Sequence, residues 1–193
     1  MTKTIEVPDF LWHLKRDPRG YPHPFLMMAD SIVTMDPRKQ LRCLKEKLCM
    51  ICGTRLDNKK WFIGGHRTAR NRVVVDPAMH ERCARYSMTV CPFLSNQEMK
   101  YRKRYGEGTE LIASTSTTRA ETQCLMRTNG SRPIIFNGQL MILCNRWEVI
   151  EHWADGKIVA APPGLSVDEL RDTPGALDAG GELAHLYRQA DLS

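Results

Sequence analysis

Cys49-Met50-Ile51-Cys52-Gly53, answered 27 residues later by His80-Glu81-Arg82-Cys83, is the stretch on which the reading of this 193-residue chain turns. Two thiols separated by two residues in a tight turn can share one edge of a tetrahedron around a zinc ion. A glycine after the second thiol lets backbone amides turn toward the sulfurs. His80 and Cys83, three apart, lie on one face of a helix's opening turns, where the helix dipole favours a thiolate. Three sulfurs and one nitrogen make a closed, structural donor set, so the expected cofactor is one Zn2+ on Cys49, Cys52, His80 and Cys83. Cys43, on a neighbouring predicted helix, and His66 are the two residues able to substitute for one of these ligands.

Between the two ligand pairs lie two short β-rich runs, Trp61-Phe-Ile-Gly-Gly65 and Arg72-Val-Val-Val-Asp76. With Gly64-Gly65 closing the first, they are predicted to form a hairpin. Asp76-Pro77 then opens a helix that runs through His80, Cys83, Tyr86 and Val90 and stops at Cys91-Pro92. Knuckle, hairpin and ligand-bearing helix resemble the treble-clef arrangement, an architecture that hosts many functions.

Upstream, residues 1–37 interleave Pro8, Pro18, Pro22, Pro24 and Pro37 with Phe10, Trp12, Tyr21 and Phe25. This predicts an extended arm that lays aromatics on the body. Asp36 caps a helix with Pro37 in its first turn. Leu41, Leu44 and Leu48 give that helix a buried stripe, and Arg38, Lys39, Arg42, Lys45 and Lys47 make the rest of it basic. Downstream, Asn137-Gly138 is a hairpin signal between Pro133–Phe136 and Leu140–Cys144. Arg146–Trp153 is expected to extend that sheet as a third strand, and the two hairpin strands, apolar at nearly every position, need cover on both faces. Ser166 with Glu169 predicts a capped helical turn, and residues 182–190 a last short helix. The expected fold class is α+β: an N-terminal arm (1–37), a treble-clef-like zinc domain (38–105), an antiparallel β unit packed on it (106–160), and a linker with short C-terminal helices (161–193).

Composition narrows the function classes. Hydrophobic residues make up 42% of the chain and charged residues 26%, which argues against a disordered polymer. No apolar run reaches the length of a membrane span, and the N-terminus carries Lys3, Glu6 and Asp9 in place of an apolar signal core. There are seven cysteines, an odd number, and five of them fall between positions 43 and 91. That pattern points to metal binding in a cytoplasmic setting more than to a disulfide framework. Residues 1–105 hold 21 Lys and Arg against 10 Asp and Glu, a net of +11, while residues 106–193 carry a net of −5. A basic half of this kind suits an acidic partner. Lys100, Arg102, Lys103 and Arg104, with Tyr101 among them, add cations and a stacking ring beyond the zinc helix, the ingredients of phosphate and base contact.

Enzyme signatures are sparse. The deaminase pattern, the nucleophile elbow, the P-loop and the dinucleotide fingerprint are all missing. The order His66, Asn71, His80 resembles that of HNH nucleases, whose hairpin histidine is the general base and whose helix histidine holds a divalent ion. His80 cannot serve both that ion and a structural zinc.

At Cys49-x-x-Cys-Gly, Trp61-Phe-Ile-Gly-Gly, Asp76-Pro-Ala-Met-His-Glu-Arg-Cys-Ala and Cys91-Pro-Phe-Leu, the chain resembles a group of uncharacterised bacteriophage and bacterial proteins. Val7-Pro-Asp-Phe-Leu and Arg19-Gly-Tyr-Pro are similar too, so the resemblance covers about residues 5–95. It implies a phage or prophage accessory protein in a bacterial host cytoplasm, and no chemistry. The expectation is a non-catalytic zinc protein that binds nucleic acid through its basic half. The alternatives are an inhibitor or modulator that docks on a host protein and, less favoured, an HNH-like nuclease. The β unit offers a face for self-association.

Overall fold

In the computed structural model, residues 5–31, 34–95, 122–175, 177 and 187–192 are described. The basic cluster Lys100–Arg104 lies outside them.

The N-terminal arm makes a short 3-10 turn at Asp9–Leu11 and, in place of the expected extended run, doubles back twice, with antiparallel bridges Arg16–Pro22 and Met27–Met35, burying Leu11 and Leu26 completely. Helix α1 (Pro37–Glu46) starts as its sequence dictates: the Asp36 side chain accepts from the Arg38 amide, and Pro37 occupies the first turn. It ends at Lys47, in the left-handed region at φ 55°. Its buried line differs from the expected one. Cys43 is the buried residue, Leu44 and Leu48 pack at its sides, and Leu41 is exposed. The helix rests on the body by its Cys43 face, which leaves Leu41 at the rim.

Strand β1 (Lys60–Gly64) is followed by helix α2 (His66–Asn71), strand β2 (Val73–Val74), helix α3 (Glu81–Val90) and the short helix α4 (Pro92–Ser95). The expected hairpin between the two β-rich runs does not form. Gly65 caps α2 instead of turning a hairpin, Arg72 ends α2 at φ 59°, and β1 and β2 enter different sheets. The physical reason lies in β1, where Trp61 and Phe62 point to opposite faces and both are buried. A strand that needs cover on both faces sits inside a layered body, and a lone hairpin cannot supply that. The second helix also starts later than expected. Met79 exchanges both backbone hydrogen bonds with Trp61, 2.9 and 3.1 Å, so the chain stays out of helix through the extended cap His80 and α3 begins at Glu81.

Strands β3 (Gln123–Thr128), β4 (Ser131–Phe136), β5 (Gln139–Cys144), β6 (Trp147–Ala154) and β7 (Lys157–Val159) precede helix α5 (Val167–Arg171) and strand β8 (Tyr187–Gln189). They complete two four-stranded antiparallel sheets, β1-β3-β6-β7 and β2-β5-β4-β8. Asn137-Gly138, both at positive φ, close the β4–β5 hairpin. Arg146–Trp153 does not extend that hairpin; as β6 it pairs with β3 in the other sheet. The chain changes sheet twice at one corner, where the Asn145 amide donates to Gly130 O (2.9 Å) and its side chain to Asn129 Oδ1 (3.2 Å). A shift of register between Arg127 and Thr128 leaves Glu148 outside the ladder and flips the parity of β6. Trp147 is thereby turned onto Phe62 (6.3 Å between ring centroids), with its indole N–H donating to Ala69 O at 2.7 Å. Residues 187–189, expected in a helix, form β8 on the edge of the β4 strand.

The first sheet therefore has cover on both faces. Trp61, Leu125 and Trp153 face the arm, the Cys49–Cys52 knuckle and α3. Phe62, Cys124 and Met126 face α2, α5 and the second sheet. Each such side chain removed from water is worth roughly 1.5–3 kcal/mol, so this double burial fixes β1 more firmly than its propensity would.

Candidate metal centre

The knuckle is built by local hydrogen bonds. Cys49 N–H donates to Thr54 O (2.8 Å), and Gly53 N–H returns to Cys49 O (2.9 Å). Gly53 sits at φ 72°, and a Cβ there would stand 2.7 Å from Cδ2 of Phe25. The arm clamps the turn from outside, with Phe25 N–H donating to Ile51 O (2.8 Å), Leu26 N–H to Met50 O (2.9 Å) and His13 Nε2 to Cys52 O (2.8 Å). On the other side Met50 N–H donates to Ala78 O at 3.1 Å, which docks the knuckle against the residues leading into α3.

That docking brings Cys49, Cys52, His80 and Cys83 together, their ligand atoms all within 4.8 Å of one another. His80 is the N-cap of α3 and Cys83 lies in its first turn. The three cysteines are buried and His80 is half-buried. His80 Nε2 lies 2.9 Å from Arg55 O. A carbonyl only accepts, so Nε2 carries the proton and Nδ1 turns a lone pair on Cys52 Sγ (3.4 Å) and Cys83 Sγ (4.0 Å). Tetrahedral zinc with bonds of about 2.3 Å to sulfur and about 2.0 Å to nitrogen requires S–N separations of about 3.6 Å, which these two distances bracket. A buried Cys3His cluster with this spacing is consistent with a zinc site.

With the cluster's thiols pressed together, Cys52 is held well below the ordinary thiol range by hydrogen bonds from Cys49, then Cys83 and Thr54. Cys83 is pushed up, chiefly by its bonds to Cys49 and Cys52, and Cys49 is raised by Cys52. Cys43 stands apart from the cluster; burial, with Cys49 nearby, pushes its thiol up to about 12.

His66 does not join this group. As the first residue of α2 it lies with Cys124 and His152 in a second set whose ligand atoms are also within 4.8 Å of one another. These three residues are scattered along the chain, and short-motif reading passed over Cys124 and His152. The cross-strand register of β3 and β6 is the feature that unites them, and it is not written in any spacing. Asn71 ends α2, so the His66, Asn71 and His80 of the nuclease order are divided among separate settings.

The basic residues of α1 divide as well. Lys39 Nζ donates to Met27 O (2.6 Å), and Arg42 forms a paired contact with Glu46 at 2.9 and 3.1 Å. Both also sit over the Phe25 ring. Arg38, Lys45 and Lys47 are exposed. A basic feature not anticipated from sequence is a surface depression of about 300 Å3 lined by Arg72, Arg132, Leu143, Cys144, Asn145 and Arg146. Arg72 is 5% exposed, with its pKa lowered by burial and then by the Arg146 charge, while Arg132 and Arg146 stand open. Two of the three guanidiniums come from the acidic half of the sequence. Among the described residues no helix is long and apolar enough to cross a membrane. Comparison of the chain with protein-family models, curated proteins and solved structures finds no match.

Proposed function

We propose that this chain is a non-catalytic, zinc-organised binding protein whose partner is nucleic acid. The zinc reading rests on the Cys3His cluster, with His80 Nε2–H held by Arg55 O and its Nδ1 facing two sulfurs. In this reading the ion fastens the knuckle to α3 in a treble-clef-like manner, β1 and α2 taking the place of the hairpin. It leaves no ligand position for substrate, so its contribution is folding energy.

What supports a phosphate-bearing partner is the convergence of Arg72, Arg132 and Arg146 on one depression. Guanidinium forks match phosphate oxygens two bonds at a time, and a half-buried cluster of them disfavours any neutral occupant. Arg38, Lys45 and Lys47 of α1 are exposed and offer further cations for backbone contact. Fluorescence anisotropy of the full chain with labelled single- and double-stranded DNA and RNA tests this. Affinity should fall with a log–log slope of about −0.9 per neutralised phosphate on duplex DNA. Arg132→Glu with Arg146→Glu should weaken binding about a hundredfold or more, since each of the two lost charged contacts is worth about 1.5 kcal/mol or more. No binding to any of these at low salt would overturn the nucleic-acid reading.

The rival, a phage or prophage product that docks on a host protein, draws on the sheet edge at β7, where Ile158 is 58% and Val159 37% exposed. An apolar edge strand of this kind pairs readily with another chain.

A further inference from the structure

We propose that His66, Cys124 and His152 form a second zinc site, independent of the Cys3His cluster and on the opposite face of the first sheet. The placement comes from the fold. Cys124 and His152 are direct cross-strand partners in β3 and β6. They lie on the face that carries Phe62 and Met126, away from the face against which Cys49, Cys52 and Cys83 pack. Helix α2 is laid across that face and delivers His66 from its first position.

Three features make this a donor set and not merely three buried residues. First, Cys124 Sγ is 3.6 Å from His152 Nδ1, the separation that two ligands on one tetrahedral zinc require, about 3.6 Å. Second, His152, 2% exposed, has Nε2 at 3.1 Å from Leu165 O. The carbonyl fixes the proton on Nε2 and leaves the Nδ1 lone pair facing the sulfur. This is the arrangement by which Arg55 O orients His80, and it is the usual outer support of a metal-bound imidazole. Third, the two imidazoles approach edge to face at 5.9 Å between centroids, with His66 Nε2 2.6 Å from Thr122 Oγ1.

The donors are two nitrogens and one sulfur, a borderline set that suits zinc above calcium or magnesium. Three protein ligands leave one tetrahedral vertex, which falls to water.

Native mass spectrometry of the full chain, purified with zinc and desalted, tests the assignment together with His66→Ala and Cys83→Ser. His66 is half-buried at a helix end, so its truncation spares the core; Cys124→Ser serves as the second variant. The expected result is two zinc ions on the unaltered chain and one on each single variant. One ion on the unaltered chain, retained by His66→Ala and Cys124→Ser and lost by Cys83→Ser, would overturn the second site and leave the first standing. One ion lost by His66→Ala but retained by Cys83→Ser would do the reverse. Two ions on the unaltered chain that both survive His66→Ala and Cys124→Ser would also overturn it.

Discussion

Gly53→Ala sets two separable costs against the knuckle. The residue sits at φ 72°, where an L side chain is disfavoured by about 1–2 kcal/mol. The new methyl group would also stand 2.7 and 2.9 Å from Cδ2 and Cγ of Phe25. That ring has little room to retreat, because its backbone amide is bonded to Ile51 O and Lys39 and Arg42 lie over it. Overpacking of this kind costs about 1–3 kcal/mol. Gly138→Ala supplies the control. Its φ is 74° but nothing lies within 4 Å of the added carbon, so only the backbone cost applies. Urea unfolding at fixed zinc should therefore show Gly53→Ala less stable than Gly138→Ala by about 1–3 kcal/mol. Adding Phe25→Ala to Gly53→Ala should cost less than the sum of the two single changes, because the ring that clashes is gone. Equal losses for the two glycine variants, or strict additivity of the double variant, would refute the contact between arm and knuckle.

Glu151 accepts from Arg85 at 2.7 and 2.8 Å and from the Trp153 indole at 3.1 Å, tying α3 to β6 with its side chain 19% exposed. Glu151→Gln should lower unfolding free energy by about 1–3 kcal/mol; Glu148→Gln, whose partner Arg127 lies in a more open contact at 3.1 Å, should cost under about 1 kcal/mol. Burial raises the Cys144 thiol above its ordinary 9.0. Above that pH the unfolded thiol ionises and the folded one does not, so the unfolded state holds fewer protons and stability falls as pH rises. Cys144→Ala should flatten this alkaline loss by up to about 1.4 kcal/mol per pH unit in denaturation series run upward from pH 9, and an unchanged slope would show that the thiol does not contribute. Chelation should lower the melting temperature and loosen the knuckle's amide protection, since the binding energy of the proposed structural ion would be folding energy.

Local chemistry was legible in the sequence, and chemistry assembled by sheet pairing was not. Cys-x-x-Cys-Gly, the Asp36-Pro37 helix start, the Asn137-Gly138 hairpin and the Ser166/Glu169 capping box each sit within a few residues, and each takes the expected form. The glycine pair after β1 was ambiguous, since Gly65 serves a helix start as readily as a turn, and α2 won. The destination of β6 was hidden for a different reason. A two-residue link after β5 normally returns a strand to its neighbour. Here the Asn129–Gly130–Asn145 corner redirects it, and Trp147 finds Ala69 O and Phe62 in the other layer. The same non-locality concealed the His66/Cys124/His152 set and the Arg72/Arg132/Arg146 depression. Charge counted by halves of the chain placed the basic surface in residues 1–105, while folding recruits two arginines from the acidic half.

Zinc K-edge X-ray absorption on the full-length His66→Ala chain most directly tests whether Cys49, Cys52, His80 and Cys83 hold a structural ion, because that variant leaves only this site to report. The account predicts a four-ligand shell of three sulfurs at about 2.3 Å and one nitrogen at about 2.0 Å. A shell dominated by nitrogen and oxygen, or a protein that retains no zinc after desalting, would contradict it.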